Sequence, residues 1–143
     1  MADLQSRKEV AQTFMVALDA GDVELVRSLI SDDFHVQFMD QTPIFENGGD
    51  IPNRMAMPEF LAGGVPLIRS VTVDGMHFVF TSVVAEGDEV VIFGKSDAQT
   101  VTGKAYRNVY AWRIVFSGDK IVELNEFCDT HLARNIIFSM QAA

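Results

Sequence analysis

Cysteine occurs once in 143 residues, at Cys128. An internal disulfide and a cysteine-based zinc cluster are therefore both excluded. Basic residues are also scarce: 11 Lys and Arg stand against 20 Asp and Glu, a formal net charge of -9. No run of Lys or Arg offsets that balance, so neither nucleic acid nor an anionic membrane surface is an expected partner. Long hydrophobic runs are missing too, which leaves nothing to span a bilayer with a helix. The stretch from Met1 to Val10 is polar and unlike a signal peptide, so a cytoplasmic location is the expectation. His35, His77 and His131 lack metal-ligand spacing. Gly48-Gly49 and Gly63-Gly64 have no strand before them and no Lys after them, as a phosphate loop would require. No metal or cofactor is expected.

Apolar residues are plentiful, at 48% with eleven Phe. A chain of this length fits one domain, residues 1–143, with material for a core and for the walls of a pocket. Leu4, Ala11, Phe14, Met15 and Leu18 fall at helical spacing. Gly21 suits the end of that helix, and Asp22 caps a second one carrying Leu25, Val26, Leu29 and Ile30. From Asp33 to Met39 the period becomes two, with Phe34, Val36 and Phe38 on one face and His35, Gln37 and Met39 on the other. A Gly-, Pro- and Asn-rich loop covers Asp40 to Arg54. Pro58 opens a third helix, which Gly63, Gly64 and Pro66 should break or kink so that it arches over a cavity.

The second half reads as a four-stranded meander, Met76–Ala85, Glu89–Ala98, Ala105–Phe116 and Ile121–Cys128, with turns at Gly87, Gly103 and Gly118. A final helix is capped by Asp129 or Thr130, with Leu132, Ile136 and Ile137 as its apolar face. The expected fold is α+β: a cone-shaped roll of curved, antiparallel or mixed sheet wrapped around the N-terminal helices and enclosing a pocket.

Several segments carry a resemblance. They are Ala17-Leu18-Asp19-Ala20-Gly21-Asp22, Ala85-Glu86-Gly87-Asp88, the run from Gly103 to Tyr110, Gly118-Asp119-Lys120-Ile121, and Glu126-Phe127-Cys128-Asp129. In this order the chain resembles the nuclear-transport-factor-2-like superfamily, in its SnoaL-like branch related to ketosteroid isomerase. The resemblance implies a conical pocket on the concave face of the sheet and a homodimer packed through the convex face. It implies no single activity, since unrelated reactions share this scaffold. It also implies where ketosteroid isomerase would place its polar groups: a hydroxyl donor at Phe14, the base at Phe38 and a protonated carboxyl at Trp112. All three are absent, which argues against steroid isomerisation by that mechanism.

On the long strand Tyr106, Asn108, Tyr110, Trp112, Ile114 and Phe116 share one face. Tyr106, Asn108 and Tyr110 are candidates for the pocket wall, because a buried Asn needs partners that a dry core rarely supplies. Ile114 and Phe116 read as core. On the last strand Leu124, Glu126 and Cys128 share a face. A carboxylate on that apolar wall would be poorly solvated, and its pKa would rise toward that of a general acid or base. Cys128 reads as a small core or pocket filler. A faint likeness to limonene epoxide hydrolase groups Lys95, Asp97 and Glu126 as a catalytic trio, with Lys in place of that family's Arg and Glu in place of its Asp. A solvated hairpin end is the better reading of Lys95 and Asp97. A His–Asp pair like that of scytalone dehydratase, with His35 or His77 meeting a carboxylate, is weaker, because His35 faces away from Phe34 and Phe38. Met55 and Met57 suit an adaptable apolar rim.

Two classes of function follow. In the first, the chain binds a small, largely apolar molecule and acts on it without a cofactor, as an isomerase, cyclase, dehydratase or epoxide hydrolase. Glu126 is then the acid or base, helped by Asp97 or Tyr106, and Asn108 holds a substrate oxygen. In the second, it is a non-catalytic ligand-binding or assembly module. Ligand contacts are expected from Phe14, Phe38, Met57, Tyr106, Asn108, Tyr110, Trp112 and Cys128.

Overall fold

Asp3 accepts a hydrogen bond from the Ser6 N–H at 2.7 Å and starts helix α1 (Leu4–Ala20), which Gly21 ends in the left-handed region at φ 70. Asp22 repeats the capping for α2 (Val23–Leu29) by accepting from the Leu25 N–H. The structure is a computed structural model that describes residues 3–38 and 54–137. Met39, the loop residues expected from Asp40 onward as far as Asn53, and the Gly48-Gly49 pair lie outside those residues. Ala11, Phe14, Met15 and Leu18 of α1 are buried as the helical spacing predicts, but Leu4 is exposed. On α2 only Val26 is buried. Ile30 belongs to the strand that follows, β1 (Ile30–Phe38), which begins three residues before Asp33 and carries an irregularity in register between Ile30 and His35.

A short strand, β2 (Arg54–Ala56), pairs antiparallel with β1 and leads into the third helical stretch. That stretch is not broken at its glycines. It runs from α3 (Met57–Glu59), with Pro58 in its first turn, through a π-helical turn at Phe60–Gly64 into α4 (Val65–Val71). The Val65 N–H reaches back five residues to the Phe60 carbonyl, and this wider turn takes up the disruption expected of Gly63, Gly64 and Pro66. A Cβ on Gly64 would lie 2.7 Å from Phe60 Cδ1, so glycine lets the helix close onto that ring.

The remaining strands are β3 (Val79–Glu86), β4 (Glu89–Lys95), β5 (Ala98–Gln99), β6 (Ala105–Tyr106), β7 (Val109–Ser117) and β8 (Lys120–Cys128), followed by α5 (Thr130–Ile136). Six strands form one curved, mixed sheet in the order β2-β1-β8-β7-β4-β3, in which only β1 and β8 run parallel. The sheet does not close. β5 and β6 pair separately.

Three expected strands are shorter than the sequence pattern suggests, and of these β4 stops at Lys95, before the expected Ala98. Met76–Phe78 is irregular, with His77 at φ 54, because the Asp19 carboxylate accepts the N–H groups of both Met76 and His77. The long strand is interrupted at Arg107 and Asn108, between β6 and β7, yet its face assignment holds: Tyr106, Asn108, Tyr110, Trp112, Ile114 and Phe116 are all buried.

Arg7 ties the start of α1 to two hairpin turns, donating to the Gly87 carbonyl, the Asp88 carboxylate and the Gly118 carbonyl, with its guanidinium over the Phe116 ring. A larger apolar cluster fills this end of the sheet's concave side. A smaller one gathers Val71, Met76, Ala98, Tyr106, Ala133 and Ile137. The candidate site lies where the two clusters meet. Among the described residues, no helix is long and apolar enough to cross a membrane.

Candidate functional site

A hollow of about 110 Å³ opens on the concave face of the sheet. For scale, an apolar cavity of ~150 Å³ takes up benzene. Met15 and Leu18 of α1 form one side, Ile68 and Val71 of α4 another, and Ala133 and Ile137 of α5 a third. The sheet supplies Phe38, Tyr106, Tyr110, Leu124, Glu126 and Cys128. Asp129 caps α5 by accepting from the Leu132 N–H at 3.1 Å, and so fixes the angle at which that helix leaves β8.

Glu126 is the acidic side chain in this wall. It sits at the middle of the sheet, in register with Phe38 on one side and Trp112 on the other. It is half-buried and lines the hollow, and the surrounding protein displaces water from around its carboxyl. Burial accordingly raises its pKa, opposed only by a hydrogen bond from the Trp112 indole. That bond runs from Nε1 to Oε1 at 3.0 Å. Arg134 of α5 also lines the hollow, and among the described residues no ion pair to Glu126 occurs.

Trp112 is fully buried behind the wall. It stacks on Tyr110 at 4.7 Å and 13° and meets Phe78 edge-on at 4.8 Å. Space for it exists because position 94 is glycine: a Cβ there would lie 2.9 Å from the indole and 2.7 Å from the Val79 carbonyl oxygen.

Beside Glu126, Tyr106 and Tyr110 line the hollow within a web of buried hydrogen bonds. Ser96 Oγ accepts from the Asn108 N–H at 3.0 Å and lies 3.1 Å from the Tyr110 hydroxyl. The Tyr106 hydroxyl accepts from Asn108 Nδ2 at 2.7 Å. Burial raises the pKa of both phenols, so both keep their protons.

The structure separates the other sequence candidates from this site. Asn108 is buried but does not line the hollow. Its Oδ1 accepts from the Val109 and Asp129 N–H groups, and its Nδ2 donates to Tyr106 and to the Asp129 carbonyl. The partners sought for it in a ligand are thus found in the chain, where Asn108 joins β7 to the start of α5. Phe14 lies in the core against Phe34 and Phe60. Met57 packs on that core, Met55 is buried in it, and neither lines the hollow. Trp112 touches the site through Glu126 and not through the cavity surface.

Asp97 and Lys95 point outward. Asp97 is ion-paired with Arg107 at 3.0 Å and is not brought to Glu126. His77 meets a carboxylate, Asp74 at 3.5 Å, but in solvent, and His35 is partly buried in β1; neither lines the hollow. Cys128 does line the hollow. The expected arching of the third helical stretch over the cavity is met by Leu67, Ile68 and Val71, whereas sequence reasoning missed the wall that Ala133, Arg134 and Ile137 supply. No group of three or more His, Cys, Asp or Glu that could hold a metal occurs among the described residues.

The family model of the SnoaL-like domain matches residues 11–124, most of the chain. The chain belongs to the SnoaL-like domain family. The match ends two residues before Glu126, so the carboxyl and α5 lie beyond the matched stretch of this SnoaL-like domain. No curated protein matches it significantly.

Solved structures with the same fold include a nuclear-transport-factor-2-like protein of unknown function from Burkholderia pseudomallei, 16% identical with a TM-score of 0.72, covering 90% of this chain and 95% of that one. A second, from Burkholderia thailandensis, is 20% identical with a TM-score of 0.68, covering 94% and 95%. A third, from Catenulispora acidiphila, has a ketosteroid-isomerase-like fold and is in complex with trimethylamine. It is 14% identical with a TM-score of 0.66, covering 83% and 84%. At such identities the likeness shows the fold alone.

Proposed function

We propose that this SnoaL-like domain binds a compact, largely apolar molecule in the hollow and that Glu126 moves a proton on it without a cofactor, in an isomerase, cyclase, dehydratase or epoxide-hydrolase type of reaction. The observation that carries this reading is the desolvated carboxyl in a largely apolar wall, held by one indole donor among the described residues. Such a group holds its proton to higher pH than an ordinary carboxyl does, the direction of shift that acid–base catalysis uses. Its register strengthens the reading. The resemblance to ketosteroid isomerase places that enzyme's base and its carboxyl donor at Phe38 and Trp112, and here a single carboxyl sits on the strand between them. Trimethylamine in complex with a protein of this fold gives a precedent for a small ligand.

The test is Glu126→Gln, assayed by mass spectrometry against a panel of epoxides, enones and polyketide-like aromatics. Turnover should fall by roughly 10²–10⁴-fold. Unchanged turnover, together with an ordinary carboxylate pKa by NMR, would remove the catalytic role. Binding without conversion by the wild-type protein would favour a carrier or sensor.

A second reading, assembly as a homodimer, draws on the outer face of the sheet. Phe93, Ala111 and Phe127 lie in register across β4, β7 and β8, and Phe93 and Phe127 are both exposed, with Val84 and Val109 near them. Exposed apolar rows of this kind mark interfaces. Sedimentation should give a dimer that Phe93→Asp dissociates. A wild-type monomer at all concentrations would count against it.

A further inference from the structure

The hydrogen-bond web behind Tyr106 and Tyr110 leaves a proton over, and that proton bears on what the hollow accepts. The accounting starts at Asn108. Its Oδ1 lies on two backbone N–H groups, which can only donate, so its amide orientation is fixed and Nδ2 must donate to the Tyr106 oxygen. Ser96 Oγ already accepts from the Asn108 N–H, and Tyr110 is its other partner. Were Tyr110 to donate to Ser96, the buried Ser96 hydroxyl proton would be left without an acceptor, which is costly. Ser96 therefore donates to Tyr110.

Two phenol protons then remain, one on Tyr106 and one on Tyr110, and neither has an acceptor outside the pair among the described residues. One phenol can donate to the other, but the pair cannot absorb both protons. At least one O–H is left, and both rings line the same hollow.

We infer that the Tyr106–Tyr110 pair presents a hydrogen-bond donor to the ligand, oriented by Asn108 and Ser96, and that the ligand is a compact, ring-sized molecule bearing a carbonyl oxygen. The inference rests on the hollow being the binding site, as proposed above, but not on catalysis by Glu126. A pure hydrocarbon of the same shape would leave the phenol proton buried and unpaired. A carbonyl compound would pair it and set its own carbon skeleton against Leu18, Ile68 and Ile137. Glu126, facing the same space, is then placed to exchange a proton with the carbon skeleton while the phenols hold the oxygen.

The experiment uses two probes of nearly equal shape, cyclohexanone and methylenecyclohexane, which differ in an exocyclic oxygen against a CH₂ group. In the wild-type protein the carbonyl stretch of bound cyclohexanone should move to lower wavenumber than in hexane. In the doubly substituted Tyr106→Phe/Tyr110→Phe protein it should return toward the hexane position. The ratio of ketone affinity to alkene affinity should fall roughly three- to tenfold. Each single substitution should retain a shifted carbonyl, because the remaining phenol still has a proton to give.

An unshifted carbonyl in the wild-type complex would overturn the inference without any variant having to fold, and so would an unchanged affinity ratio in the double variant. Either result leaves the Glu126 proposal standing, since Glu126→Gln is read by turnover. Failure of both probes to bind the wild-type protein would overturn this inference and the binding role of the hollow together.

Discussion

Glu126 and Asp97 are carboxylates carried by the same sheet, and their surroundings are opposite. Asp97, just beyond the end of β4, keeps 69% of its side chain in solvent and pairs with Arg107, which keeps 75%. An ion pair in that setting contributes about 0–1 kcal/mol, because water competes with it and both side chains give up freedom. Glu126 has one indole donor and no ion pair among the described residues, and it sits in a largely apolar wall. Its shift is governed by the loss of water and not by a neighbour's charge. Reactive potential in this fold therefore follows desolvation more than the clustering of charged residues. Substitutions at three positions can break or sharpen that contrast.

The largest effect is expected at Trp112, which both fills the core behind Glu126 and supplies the one side-chain hydrogen bond to its carboxyl among the described residues. Trp112→Ala should lower stability by about 3–5 kcal/mol, the usual cost of deleting a fully buried indole, measured by urea denaturation. A loss below about 1 kcal/mol would mean that the indole is not packed as described. Trp112→Phe keeps most of the ring and removes the N–H. It should push the Glu126 pKa further up, because the indole bond is the influence holding it down.

Next in size is the pH dependence that Glu126 imposes on stability. Its pKa in the folded protein lies above its unfolded value. Between the two values the folded chain holds a proton that the unfolded chain has released, so stability falls as pH rises through that window, by about 1.4 kcal/mol per pH unit at most. Below the unfolded value the effect vanishes. Glu126→Gln keeps an acceptor for Trp112 and removes the titration. Its melting temperature should match the wild type at acid pH and exceed it increasingly toward neutral pH. A constant difference across the range would show that Glu126 titrates normally.

These contrasts also show how far the sequence could be read. The period-two faces of β7 and β8 were legible because each strand has one apolar side, and they correctly set Glu126 among Leu124 and Cys128 and Tyr106 beside Tyr110. The helix caps at Asp22 and Asp129 were legible for the same local reason. What could not be read were decisions made between distant segments. Asp19 claims the N–H groups of Met76 and His77, which shortens β3. Asn108 meets the backbone of Asp129, 21 residues on, which turns a candidate ligand contact into a splice between β7 and α5. The π turn at Phe60–Gly64 likewise depends on how closely Gly64 can approach Phe60. The candidate carboxyl was visible in one strand and the arching third helix in its glycines and prolines, but the wall supplied by α5 was not.

The smallest effect should come from the other carboxylate. A trio of Lys95, Asp97 and Glu126 would need Asp97 to face the hollow, whereas its side chain faces solvent and Arg107. Asp97→Asn leaves a side chain of the same shape and removes only the charge that holds the exposed pair. Stability should change by less than about 0.5 kcal/mol, and that small change should disappear in high salt, where exposed pairs are screened. Turnover of any substrate that Glu126→Gln abolishes should be unaffected. A hundredfold loss of turnover in Asp97→Asn, with stability intact, would mean that the two carboxylates do act on one substrate, and the contrast between exposed and desolvated groups would fail at its centre.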